Sequence, residues 1–258
     1  MKALKKIFVV LLDIVLVCLM IVFILSFSVR DVVVKQMRNV TVESVKEEII
    51  TNTNISDSNF NDIVNNTEAD VLIQKYIDLL IAGMAGNDID GDINIEEDIV
   101  IFIDNNKELL KDKLGVTDEQ LEEFKKSEKL KQADDYFREK VQEGNESNKN
   151  VVTTFKVYNN LISDSLRTIL VISIIVLVAV IGILKKSLIS LIKMVGIDLV
   201  ITAILSILIV AVLNFIIVSV SDLAISVSYS YGLIYGIITF VIGIIMIIGS
   251  NIYNKKMS

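Results

Sequence analysis

The side chains able to do chemistry in this chain are mostly carboxylates, amides and hydroxyls, because the sequence has no His, no Pro, no Trp and one Cys, Cys18. They gather most densely between Gly86 and Glu97, where Asp88, Asp90, Asp92 and Asn94 alternate with other residues and Glu97 closes the run. Hard oxygens spaced around a glycine, here Gly91, suit calcium, which takes six to eight oxygen ligands and needs a sharp turn. A second set interrupts long apolar runs: Asp13, Asp198 and Asn214. Without His there is no Ser-His-Asp or Cys-His catalysis, no imidazole metal ligand and no imidazole pH switch. No nucleophile–base pair or phosphate-binding loop is present, so the chain is not expected to be an enzyme. One Cys forms no intrachain disulfide, and Cys18, followed by further apolar residues, reads as a buried, inert thiol rather than a lipid-attachment site.

Aligned on Gly91, the acidic region resembles an EF-hand loop, with Gly86 at position 1, Asp88 at 3, Asp90 at 5, Asp92 at 7, Asn94 at 9 and Glu97 at 12. Helices expected on both sides extend the likeness, which implies calcium as a ligand. Position 1 departs from the pattern, with Gly in place of Asp, so one ligand is missing unless Asn87 shifts in. The competing reading is an acidic loop joining two helices, with Asn94 or Asp92 as the N-cap.

Asp13 lies roughly 9 Å along the helix axis from Ile7 at about 1.5 Å per residue. A carboxylate in a bilayer costs roughly 2.5–3.5 kcal/mol on insertion scales, so it must face other helices, be neutral or find a partner. Asp198 falls in the same leaflet, with Lys6 and Lys193 in reach. Two readings stay open: an ion or proton path, or a polar lock between helices, the simpler of the two. Near the C-terminus Gly232 and Gly236 form a GxxxG. Thr239, Gly243 and Ser250 return to within about 20° of Gly232 at about 100° per residue. Such a ridge admits a close neighbour, inside the chain or in a second copy as a homo-oligomer. Tyr229, Tyr231, Tyr235 and Tyr253 bracket it as interfacial anchors. Asn-x-Ser/Thr occurs at Asn39, Asn54, Asn65 and Asn145, and matters only in a glycosylating source.

The elements that must position these residues follow from hydropathy. Of 258 residues 53% are hydrophobic, and they concentrate in four runs, expected as spans over residues 7–27, 168–184, 197–220 and 232–252, each near the about 20 residues that cross a bilayer. The second is short and is expected to borrow Leu161 to Thr168. Lys2, Lys5, Lys6, Lys185, Lys186, Lys193, Lys255 and Lys256 flank the spans so that residues 1–6, 185–196 and 253–258 read as cytoplasmic under the positive-inside rule. Residues 28–167 and the short loop 221–231, whose one charge is Asp222, then lie outside. A cleaved signal peptide is the alternative for the first run, which is long for one and lacks an A-x-A-like site. Arg30 to Arg167 holds 17 of the 25 basic and 29 of the 32 acidic residues, a net charge of −12 that leaves +5 for the rest. That argues against nucleic acid and favours a cation, a basic partner or plain solubility.

The outer segment reads as helical. Val33, Met37, Val40, Val45 and Ile49 continue the first span, and the polar stretch Thr51 to Asn59 breaks it. Glu68 to Ala85, with Ile73, Ile77 and Ile81 on its apolar face, is expected to be central. Glu96 to Asn106 and Lys107 to Leu114 form one broken helix ended by Gly115, although Ile99 to Ile103 is rich in β-formers. Thr117 and Gln120 make a capping box for a helix running to about Glu143 and stopped by Gly144. The polar linker Gly144 to Asn150 then leads back to the second span.

One span, an outer domain, three spans and both ends inside is an arrangement similar to FtsX/MacB-type membrane subunits, and Ser190 to Gly196 resembles their Lys-x-x-Gly segment. That likeness implies coupling to a cytoplasmic ATPase. The layout also resembles lipoprotein-modifying transacylases, which depend on a His this chain lacks. The expectation is an all-α, four-span plasma-membrane protein with an acidic helical extracellular domain that binds or senses a cation, a cell-wall component or a membrane or cell-envelope protein. The alternative is a membrane subunit of a transporter or of an FtsX/MacB-like complex.

Overall fold

A computed structural model describes residues 2–52, 55–147, 149–220 and 232–257. Among them the chain is all-α, with no strand. In order come α1 (Lys2–Asn52), α2 (Asp57–Val64), α3 (Thr67–Met84), α4 (Ile95–Asn105), α5 (Lys107–Leu114), α6 (Asp118–Lys125), α7 (Glu128–Lys131), α8 (Ala133–Ser147), α9 (Lys149–Ile162), α10 (Asp164–Lys185), α11 (Leu188–Val220) and α12 (Leu233–Met257). Four stretches are long and apolar enough to cross a membrane: Lys5–Glu43 within α1, the whole of α10, Leu188–Ile216 of α11 and Leu233–Lys255 of α12. These four apolar helices fit a membrane-embedded, multi-pass protein. Asp222, Tyr229, Tyr231 and the rest of 221–231 lie outside the described residues, as does Asn54.

The chain divides into two compact units, Met1–Val33 with Asn160–Ser258, and Val34–Asn159. In the first unit Leu12, Leu16 and Met20 of α1 pack with Ile174, Leu177 and Ile181 of α10 and with Leu191, Met194 and Val195 of α11. Farther along α1, Arg167 at the start of α10 donates to the Ser26 carbonyl at 2.8 Å and lies over the Phe27 ring at 4.1 Å. There too the backbone N–H of Gly232 donates to Asp31 Oδ2 at 2.8 Å, and Tyr235 lies 5.7 Å from Phe27. Thus α10 and α12 run against α1, and α11 runs with it. The outward faces keep large apolar side chains exposed, among them Ile175, Ile183, Leu208, Phe215 and Ile245, which suits lipid and would be a liability in water. Cys18, expected to be buried, lies exposed on such a face of α1.

The connection expected over 185–196 is mostly helix. Lys186 adopts a left-handed conformation and its N–H donates to Gly182 O, closing α10, while Ser187 Oγ accepts from Ser190 N to start α11. Only Lys186 and Ser187 are non-helical. The three lysines that suggested a loop sit at and beyond this turn, where charge and helix coexist easily.

In the second unit α3 is central as expected, with Ile77 and Ile81 buried. Ile89, Ile93 and Val141 form one apolar cluster with Leu79, Leu80 and Phe137. Ile103, Leu110 and Leu121 form another with Ile63, Phe102 and Leu114. Gly115 ends α5 in the left-handed region, and the Thr117–Gln120 capping box is fully formed. Ile99 to Ile103 is helical, because burial of one face outweighs β-propensity. The helix expected from Thr117 to Glu143 is three helices, interrupted where Ser127 caps α7 and at Gln132. Gly144 is internal to α8 rather than its stop. A Cβ there would lie 3.3 Å from Met84 Cε, so the glycine serves close packing of α3 on α8.

Candidate functional site

The acidic loop is folded around its isoleucines. Ile89 and Ile93 are buried, and Asp90–Asp92 make one 3-10 turn between them. Asp88 Oδ1 accepts from the Asp90 N–H at 3.1 Å, an intraloop turn. The Arg138 guanidinium pairs with Asp90 Oδ1 at 3.3 Å and donates to its carbonyl at 3.4 Å. Neither Asn94 nor Asp92 caps α4. Asp134 of α8 does so, accepting from the Ile95 N–H at 2.7 Å and, more weakly, from Glu96 N–H at 3.4 Å. Asp88, Asp92, Asn94 and Glu97 are exposed. Among the described residues no three His, Cys, Asp or Glu side chains gather as a metal group would.

Beside the loop, Lys75 and Tyr76 of α3 both reach Asp98 Oδ2 of α4, the tyrosine hydroxyl donating at 2.6 Å. The Tyr76 ring meets Phe137 edge-on at 5.6 Å. Burial, then the bond to Asp98, pushes the Tyr76 hydroxyl well above its ordinary range. Burial pushes the Asp98 carboxyl up, but the Lys75 and Tyr76 bonds outweigh it and hold it below the usual carboxylate value. These bonds fasten α3 to α4 and leave no group poised for proton transfer.

The membrane-type unit holds a different arrangement. Asp198, Thr202 and Ser206 of α11 are at most 5% exposed, and Asn214 is fully buried. Their i, i+4 spacing, carried through Val210, keeps them on one slowly turning line. Asn214 Nδ2 donates to Val210 O at 3.1 Å. Asp198 Oδ2, Thr202 Oγ1 and Ser206 Oγ are buried without a hydrogen-bond partner, as is Asp13 Oδ1 on α1. Asp13 and Asp198 lie within electrostatic reach of each other and of Lys185 at the end of α10. An open groove of about 560 Å³, lined by Lys5, Lys6, Val9, Val10, Asp13, Leu184 and Lys185, leads to this end of the bundle. The sequence singled out Asp13, Asp198 and Asn214 but not Thr202, Ser206 or Lys185. The signal was there in the four-residue spacing of polar residues from 198 to 214.

The glycine ridge faces two neighbours inside the chain. A Cβ on Gly243 would lie 2.8 Å from Gly196 O, and one on Gly236 would lie 2.5 Å from Ile207 Cγ1, so both glycines let α12 close on α11. Gly232 belongs instead to α1. Its φ is +75°, and a Cβ would meet Ser28 O at 2.6 Å. No protein family matches the chain, and neither does any curated protein or solved structure.

Proposed function

We propose that the chain is a non-enzymatic plasma-membrane protein that presents the unit Val34–Asn159 outside the cell as an acidic binding or sensing domain, with both chain ends in the cytoplasm. One observation carries the reading: α1 is a single helix from Lys2 to Asn52, and its second half is clamped into the outer unit. Arg38 pairs with Asp70 Oδ1 at 2.5 Å and donates to the Val64 carbonyl at 3.1 Å, and Lys46 pairs with Asp57 at 3.1 Å. A ligand that shifts α2 or α3 therefore pulls on a helix that continues into the apolar bundle. The charge of −12 over 30–167 favours a basic protein or cell-wall component as that ligand.

Orientation is tested in intact cells with a membrane-impermeant maleimide, after Cys18→Ser removes the native thiol. Asn105→Cys should label from outside and Lys255→Cys only after lysis. The reverse pattern would sink the proposal. A second reading, a membrane subunit of a transport complex, is favoured by the buried polar line on α11, and stable co-purification with an ATPase would select it.

A further inference from the structure

We propose that α1, α10 and α11 enclose a binding site for a monovalent alkali cation, held by the carboxylates of Asp13 and Asp198 and the Thr202 hydroxyl, with Ser206 the next oxygen along its path. This goes beyond the reading above, since it requires nothing of the outer unit.

The case begins with polar atoms that have lost water and gained nothing. A buried polar group left unpaired costs roughly 1–3 kcal/mol, and a charged one more. Four such atoms, Asp13 Oδ1, Asp198 Oδ2, Thr202 Oγ1 and Ser206 Oγ, occur on α1 and α11, which meet through Leu12 and Leu16 on one side and Met194, Val195 and Leu199 on the other. Three other hydroxyls of the same bundle show the ordinary remedy. Ser26 donates to Phe23 O, Thr239 to Tyr235 O and Ser250 to Ile247 O, each bonding back to its own helix. Thr202 and Ser206, buried on α11, do not, and Ser28 of α1 is likewise buried and unpartnered. The Thr202 and Ser206 oxygens stay available as acceptors beside an unpartnered carboxylate oxygen.

Ligand type and charge then select the occupant. The donor set is all oxygen, which suits hard cations rather than thiol- or imidazole-seeking metals. With both carboxylates ionised, Asp13 and Asp198 bring two negative charges and Lys185 within reach one positive, so a single positive charge brings the group to neutrality. A divalent ion would overshoot, and calcium would want six to eight oxygens. Lys5 and Lys6 lie exposed at the groove that leads to Asp13 and are solvated there, and the described part of α12 adds no carboxylate, its Lys255 being exposed. Successive i+4 positions are about 6 Å apart along the axis. One ion therefore touches Asp198 and Thr202 together, and Ser206 is its next stop.

The full chain in detergent is melted in sodium, potassium and choline chloride at equal ionic strength, with ²²Na⁺ binding measured in parallel. Sodium should raise the Tm saturably over choline and show saturable binding. Asp198→Asn should abolish both effects, and Thr202→Val should weaken the apparent affinity about tenfold or more. Should Asp198→Asn fail to fold, Thr202→Val and Ser206→Ala decide the matter, as neither removes a charge. Equal melting in all three salts with no ²²Na⁺ bound would overturn the site. So would a sodium effect unchanged in all the variants that fold. A Tm that responds to pH but not to the choice of cation would identify a proton as the occupant and also overturn it.

Discussion

Asp90 and Asp134 show how one sequence run rich in carboxylates is divided among structural tasks. Asp90 neutralises Arg138, and Asp134, from a helix far along the chain, replaces the expected cap of α4. A calcium ion would have to displace the guanidinium and gather side chains that now point to solvent. Millimolar calcium is therefore expected to leave the Tm of the full chain unchanged, as differential scanning fluorimetry would show, whereas Asp134→Ala should cost about 0.5–2 kcal/mol as a lost cap. Tyr76 and Asp98 each make the stability of the second unit depend on pH. The raised Tyr76 value means that folding favours the neutral phenol, so its contribution is full below about pH 10 and is lost as pH rises through and beyond that ordinary value. The lowered Asp98 value means the opposite: its contribution is present above about pH 4 and is lost as pH falls through the native value. Tyr76→Phe should cost roughly 1.5–3 kcal/mol, the range for a bond to a charged group, and should flatten the alkaline limb of a Tm-against-pH curve. An alkaline limb unchanged in the variant would assign it to another group.

The pairing of α11 with α12 is decided by where glycines fall. Gly243→Ala puts a methyl 2.8 Å from a backbone oxygen that cannot yield, and a loss of about 1–3 kcal/mol is expected. Gly249→Ala, with nothing within 4 Å of the added carbon, serves as the control and should be neutral or stabilising by up to about 1 kcal/mol. Equal effects in a melting comparison would remove the ridge from helix packing. Much of this level was legible beforehand. Runs of Ile, Leu and Val marked the long helices, Gly115 and the Thr117–Gln120 box marked ends, and Gly236 and Gly243 marked a close neighbour. What stayed hidden depends on partners distant in the chain. Gly144 reads as a stop until Met84 is seen beside it, and Asn94 reads as a cap until Asp134 arrives from α8. Thr202 and Ser206 look like ordinary hydroxyls in an apolar helix, and nothing in the sequence signals that they lack a back-bond. The interruptions at Ser127 and Gln132 are weak local signals inside a favourable helical pattern.

Across the whole chain, charge is sorted more sharply than hydropathy. The stretch 30–167 carries −12 and the remainder +5, with every basic residue of the remainder at an edge of an apolar helix. If those lysines set orientation, Lys185→Gln, Lys186→Gln and Lys193→Gln together should leave a fraction of molecules with Lys255→Cys accessible to impermeant maleimide from outside. No change in labelling would show that Lys5 and Lys6 suffice. The turn at Lys186 and Ser187 adds a constraint of its own. Two residues are too few to park one helix in lipid while the next waits in water, so in a chain that spans a bilayer as proposed, α10 and α11 would enter together as a helical hairpin during biogenesis. Asp198 would then be carried in with Lys185 already alongside, its charge partly compensated before Asp13 is met.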